Sequence, residues 1–348
     1  MDIKSKRIAV LAPVAWRTPP RQYGAWETVA SNITEGLVAR GWKNVTLFGT
    51  ADSITKATLA ACIEMGYEED KTQVPLVSTA LHISKLMERA DEFDLIHNNF
   101  DFLPLTYHRL IDTPMLTTIH GFSEPDILRV YRDHKDGYFV SISDSDRDSQ
   151  LPYLATVYNG IDLSNITFRQ TPGDNLVFLG RIHTDKGTHL AVEVAKKCGR
   201  DLIIAGIIQD QNYFDTLVKP HINDTTVRYI GPVNPVQRDE LFRQTHAVIH
   251  LNTIPERFGL VLVESMASGA PVIAMNLGSC REVIRDGSTG FLVNDVEQAE
   301  TAVGKIDEID RKACRLHVEQ NFTIDRMVEN YEKVYAEIFR LEAEKHRI

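Results

Sequence analysis

The chain has 348 residues, more than the roughly 100–200 that one domain usually organises, so two domains are expected. Its 38 Lys and Arg against 48 Asp and Glu leave a net charge of −10; phosphate neutralisation needs clustered cations and anionic lipid needs a basic face, so neither nucleic acid nor a membrane surface is expected as partner. Hydrophobic content is 43%, no run approaches the ~18 apolar residues of a membrane span, and the four cysteines share no Cys-x-x-Cys spacing, which argues against a disulfide framework or zinc site and for a reducing, cytoplasmic setting.

Taken in chain order, the first apolar run, Ile8-Ala9-Val10-Leu11-Ala12, is followed by Pro13 and polar residues, so residues 7–12 read as a strand rather than a leader. The segment from Pro19 to Glu27, containing Tyr23-Gly24-Ala25-Trp26-Glu27, leads into a helical pattern reaching Ala39. Short β-branched runs at 44–48, 94–97, 115–120 and 138–142 then alternate with helical stretches, the punctuation of a parallel sheet. The turn-rich stretch 169–174 has linker composition, which places a domain boundary near residue 170. Strand patterns restart at 176–179, 202–205, 227–230, 247–251, 271–274 and 291–293. Domains of 1–170 and 171–323 follow, with 324–348 as a terminal amphipathic helix carrying Met327, Val328, Tyr331, Val334, Tyr335, Ile338 and Phe339 on one stripe. The fold class is α/β, two doubly wound parallel-sheet domains. Ligands bind such sheets beyond the carboxyl ends of the strands, so two sheets facing a central cleft would hold a donor and an acceptor.

Several segments after these strands carry chemistry. Gly259 opens a helix after the 247–251 strand, and the free amides of this turn, from Phe258 through Gly259 and Leu260 to Val261, suit an anion such as a pyrophosphate. Glu256 precedes that helix and Glu264 lies one to two turns into it; solvated helix-end glutamates are the plain alternative. Gly180-Arg181 ends the 176–179 strand and Lys186-Gly187 precedes the next helix, so two cations are available to a leaving diphosphate, unless they merely decorate a surface turn. His120 ends the 115–120 strand. Trp26 is either a stacking platform or a staple for its helix. Asn159-Gly160 is either a cleft element or a tight turn. Asp144-Ser145-Asp146 is read as a helix N-cap ahead of a metal site. His246 and His250 have ligand spacing only if helical, and they fall in a strand, so no metal is assigned.

Together these segments resemble the retaining glycosyltransferases of family 4, the glycosyl transferases group 1, whose GT-B fold pairs two Rossmann-like domains. The resemblance covers nearly the whole chain. Glu256 and Glu264 match the family's Glu-x7-Glu motif, Gly180-Arg181 with Lys186-Gly187 its Gly-Arg-x4-Lys-Gly element, Gly24 to Glu27 its Gly-Gly-x-Glu loop, and Asn159 to Asp162 its Asn-Gly-Ile-Asp connector. Ala25 stands at the second loop glycine, and Arg257 where many relatives have proline. The resemblance implies that Glu256 contacts the transferred sugar, Glu264 the ribose, Arg181 and Lys186 the diphosphate, and that His120 positions the sugar. It places Gly24, Trp26 and Glu27 at the donor phosphate and acceptor, Asn159 in the cleft, and Ile230 at the nucleobase through its backbone. The implied reaction transfers a hexosyl group from a nucleoside diphosphate sugar, UDP-glucose or GDP-mannose first, to a small-molecule or saccharide acceptor, by a monomer or homodimer, with no metal or other cofactor. Residues 47–53 resemble a bacterial subgroup with antibiotic and pterin acceptors. A sugar-nucleotide epimerase, a phosphorylase and a silent nucleotide-sugar binder are the rival readings.

Overall fold

The computed structural model describes residues 3–121 and 126–345. They form two compact units, one of residues 1–160 with 324–348 and one of 161–323.

The first unit is built on seven parallel strands: β1 (Arg7–Leu11), β2 (Asn44–Phe48), β3 (Thr58–Ala60), β4 (Leu95–Asn98), β5 (Met115–Ile119), β6 (Tyr138–Ser141) and β7 (Tyr153–Thr156), ordered β3-β2-β1-β4-β5-β6-β7. Register pairs Ala9 with Thr46 on one side and Ile96 on the other. Ile8 to Leu11 are fully buried, as a central parallel strand with cover on both faces must be, which is why it reads as a continuous apolar run rather than an alternating one.

The terminal helix, Ile324–Lys345, belongs to this unit and buries Met327, Val328, Tyr331, Val334, Tyr335 and Ile338. It packs on the helix Ala25–Ala39 at Gly36, where a β-carbon would stand 2.5 Å from Val328 Cγ2, so two backbones approach closely there. Its two buried tyrosines need partners for their hydroxyls. Tyr335 finds His97 Nδ1 at 2.7 Å and Tyr331 finds Thr118 Oγ1 at 3.0 Å. Among the described residues no helix is long and apolar enough to cross a membrane.

The second unit holds six parallel strands: β8 (Asn175–Leu179), β9 (Leu202–Ala205), β10 (Val227–Tyr229), β11 (Thr245–His250), β12 (Val272–Met275) and β13 (Gly290–Val293), ordered β10-β9-β8-β11-β12-β13. Its start lies earlier than the 169–174 turns suggest. Ile161 donates its N–H to the Phe322 carbonyl at 2.9 Å, Ile166 is buried, and Arg169 donates to the Ser268 carbonyl at 2.8 Å. Polar, turn-rich composition there marks a loop bound onto the second unit, and the division falls at residues 160 and 161.

Candidate functional site

In the second sheet the strand order reverses between β8 and β11, so the loops leaving these two strands diverge and open a crevice at their carboxyl ends. Arg181 and Lys186 lie in the loop after β8, and Glu256 in the loop after β11. What holds the two loops together is Gly187. It sits in the left-handed region, φ 63°, and a β-carbon there would fall 2.0 Å from the Leu251 carbonyl oxygen, a contact only glycine allows.

That close approach brings Lys186 Nζ to 2.6 Å from Glu256 Oε2. The same oxygen meets His250 Nε2, from the last residue of β11, at 2.8 Å. Glu256 Oε1 accepts the Arg257 N–H at 3.1 Å. The carboxylate is 8% exposed. Burial alone would raise its pKa, but the His250 hydrogen bond and the Lys186 charge outweigh it and hold Glu256 well below the usual carboxylate range. Its backbone is fixed too: Ser279 N–H donates to the Glu256 carbonyl at 3.0 Å. Arg181 is tethered by Asp185 at 3.1 Å and by Gln209, and Asp185 in turn faces His183 Nδ1 at 2.8 Å.

Gly259, φ 80°, caps the helix Leu260–Ser268. Phe258 is buried edge-on against Phe322, with ring centroids 5.9 Å apart; Leu260 and Val261 are half-buried at the first turn. Glu264 is 7% exposed and is therefore no solvated helix-end residue. Burial pushes its pKa up, and Arg238 Nη1, 3.0 Å away on the helix Pro235–Arg243, opposes that shift. Gly180 directly follows β8. Ile230 follows β10, its N–H given to the Ile204 carbonyl at 3.0 Å and its side chain 49% exposed.

The first sheet repeats the reversal between β1 and β4. Gly24, φ 145°, caps the helix Ala25–Ala39; a β-carbon on it would lie 2.9 Å from both Glu27 Oε2 and Pro20 Cβ. Glu27 is buried and accepts the Trp16 N–H at 3.2 Å. Its burial dominates those backbone bonds and raises its pKa to about 7. Trp26 is half-buried and stacks on His120, ring centroids 5.6 Å apart and planes 25° from parallel. His120 follows β5, with Nε2 3.1 Å from Asn99 Oδ1 just past β4. Burial lowers its pKa to about 3, so the ring is neutral at neutral pH. Asn159 is buried in this unit, its Oδ1 without a hydrogen-bond partner among the described residues.

One sequence expectation changes, and two residues of the site were missed. Asp144 and Asp146 lie in a turn that no helix follows, so the N-cap reading fails; Asp144 accepts from Thr156 Oγ1 and faces Arg147 at 3.8 Å. His246 and His250 stand near opposite ends of β11, the former facing Asp307 at 2.7 Å. His250, weighed only as a metal ligand, instead joins Glu256. A histidine ending an otherwise apolar strand six residues before the glutamate was the available signal. Arg238 gave none, since only the fold brings its helix to Glu264.

Residues 164–318 match the family model described as glycosyl transferases group 1. A 41.2 kDa protein of the cps region of Klebsiella pneumoniae is 33% identical over 168 residues, 46% of each chain. Glycogen synthase of Mycobacterium tuberculosis is 26% identical over 250 residues, 62% of this chain and 60% of the relative. The chain thus spans about half the length of the first relative and three fifths of the second. The crystal structure of Anabaena HepE in complex with UDP and glucose superposes with a TM-score of 0.73 over 95% of this chain and 99% of that one, at 19% identity, which speaks to fold. The two parallel-sheet units have the GT-B fold, and the match to the glycosyl transferases group 1 model fills most of the second unit.

Proposed function

We propose that the protein is a retaining glycosyltransferase that moves a hexosyl group from a nucleoside diphosphate sugar, UDP-glucose or GDP-mannose, to a hydroxyl of a small-molecule or saccharide acceptor. The observation that carries this reading is the meeting of Glu256 with Lys186 beside Arg181 at the strand-order reversal of the second sheet. A structural neighbour in complex with UDP and glucose supports a UDP-sugar as the first donor to try.

The chemistry assigns each group a task. Arg181 and Lys186 stabilise the negative charge that gathers on the leaving diphosphate, so no metal is required of the site. The amides of the Phe258 to Val261 turn face the same anion. Glu256, ionised, accepts from hydroxyls of the transferred sugar through Oε1, and Glu264 accepts from the ribose. The backbone at Gly180 and Ile230 borders the nucleotide. In the first unit His120 offers a neutral imidazole; with Nε2 engaged by Asn99, Nδ1 is the nitrogen without a partner among the described residues and is assigned to a sugar hydroxyl. Gly24, Trp26 and Glu27 shape the neighbouring loop, and Asn159 has an acceptor oxygen to spare. Retention follows if the departing phosphate takes the acceptor proton on the face where the new bond forms.

The test is nucleoside diphosphate release from UDP-, GDP-, ADP- and dTDP-sugars without added metal, for the wild type, Glu256→Ala and Arg181→Ala. Release from one donor, lost in both variants, is expected. No release from any donor, together with no donor binding by calorimetry, overturns the reading.

A further inference from the structure

The strand β11, Thr245–His250, is buried from end to end. A histidine at its last position, 4% exposed, must satisfy its ring nitrogens inside the protein. Nε2 does so on Glu256 Oε2 at 2.8 Å. A carboxylate only accepts, so Nε2 carries the proton and donates it. The same oxygen takes Lys186 at 2.6 Å, while among the described residues Oε1 takes the Arg257 N–H at 3.1 Å. Two strong donors therefore converge on one oxygen, and the other keeps accepting capacity.

Lys186 is given two duties by the function proposed above: counter-ion to Glu256 and electrostatic partner of the diphosphate. A lysine drawn toward the diphosphate leaves a buried carboxylate short of a donor, and an unpaired buried charge is costly enough to take up a proton. His250 has no such second claim among the described contacts. We infer that His250 is a positioning residue that keeps the Glu256 carboxylate ionised and its Oε1 turned toward the sugar while Lys186 engages the diphosphate. The inference rests on the transferase reading for its role in turnover, but the coupling of His250 to Glu256 can be measured without turnover.

The groups facing Glu256 are Lys186 from the β8 loop, His250 from β11 and the Cys280 thiol from the helix Cys280–Val283, the last pushed up to about 12 by burial and by Glu256 itself. Among the described side chains the first two donate to the carboxylate, so removing His250 leaves Lys186 as its side-chain donor among the described residues.

The experiment compares the wild type with His250→Phe and His250→Gln, whose amide nitrogen reaches the place of Nε2. Proteins labelled with ¹³C at the glutamate carboxyl are titrated by NMR, the Glu256 signal being identified by its loss in Glu256→Gln. In the wild type and His250→Gln the signal stays that of a carboxylate down to the acid limit of folding. In His250→Phe its midpoint rises by about one pH unit or more, the scale of one charge-assisted hydrogen bond. In parallel, kcat for diphosphate release at pH 7 falls about tenfold in His250→Phe and recovers to within about threefold in His250→Gln, with the affinity for free nucleoside diphosphate unchanged. An unchanged Glu256 titration in His250→Phe overturns the inference, and so does an equal loss of kcat in both variants. If His250→Phe does not fold, His250→Ala, which removes the same donor without adding volume, is titrated in its place under the same criteria. A wild type that releases nothing from any donor overturns the transferase reading, while the titration still decides whether His250 holds Glu256.

Discussion

Glu256→Gln is expected to lower the rate of nucleoside diphosphate release by a factor on the order of 100–1,000 while leaving the affinity for the free diphosphate nearly unchanged. The factor is what removing one well-placed polar group from a preorganised site usually costs. The selectivity follows from the assigned contact: Oε1 meets the sugar, which the free diphosphate lacks. The variant keeps side-chain volume but removes the counter-charge of the half-buried Lys186, and breaking a buried pair from one side costs about 3–5 kcal/mol; Lys186 retains some exposure, which places the effect toward the lower end. Initial rates and calorimetric titration on the same preparations check both halves. Equal losses of turnover and of diphosphate affinity would mean that Glu256 organises the diphosphate site rather than the sugar.

Gly187→Ala is expected to destabilise the second unit and to disturb its site together. Alanine at φ 63° is strained, by about 1–3 kcal/mol for a non-glycine residue in this region. Its β-carbon, moreover, would sit 2.0 Å from the Leu251 carbonyl, so the β8 loop and the end of β11 must separate. Overpacking adds about 1–3 kcal/mol, for a total of roughly 2–6 kcal/mol, enough to lower the melting temperature by several degrees in a unit of this size. Because the same contact sets Lys186 against Glu256, turnover should fall together with stability. Thermal unfolding followed by circular dichroism, with release rates measured well below the transition, separates the two effects. A variant as stable and active as the wild type would show that Gly187 is a bystander.

The parallel strands were legible because a doubly wound sheet buries its central strands on both faces, leaving unbroken apolar runs such as Ile8 to Leu11 and Leu202 to Ala205. Two strands escaped detection for the complementary reason: Thr58–Ala60 is three residues long, and Tyr153–Thr156 is half-buried throughout, so both edge strands lack an apolar run. The group 1 motifs after β8 and β11 were legible because each is contiguous in sequence. His250 and Arg238 were not, since each matters only through a partner that folding supplies, one across a strand end and the other across two helices. The Asp144 turn misled because a strand followed by Asp-Ser-Asp resembles a helix start, whereas here the carboxylate serves Thr156 and Arg147.

The proposed function rests on a donor site in the second unit formed by the cations after β8 and the carboxylate after β11. It is tested most directly by calorimetric titration of the turned-over donor's free diphosphate into the wild type, Arg181→Ala and Lys186→Ala. Binding at one site per chain, weakened about tenfold or more in each variant, is the predicted result; equal affinity in all three proteins would contradict it.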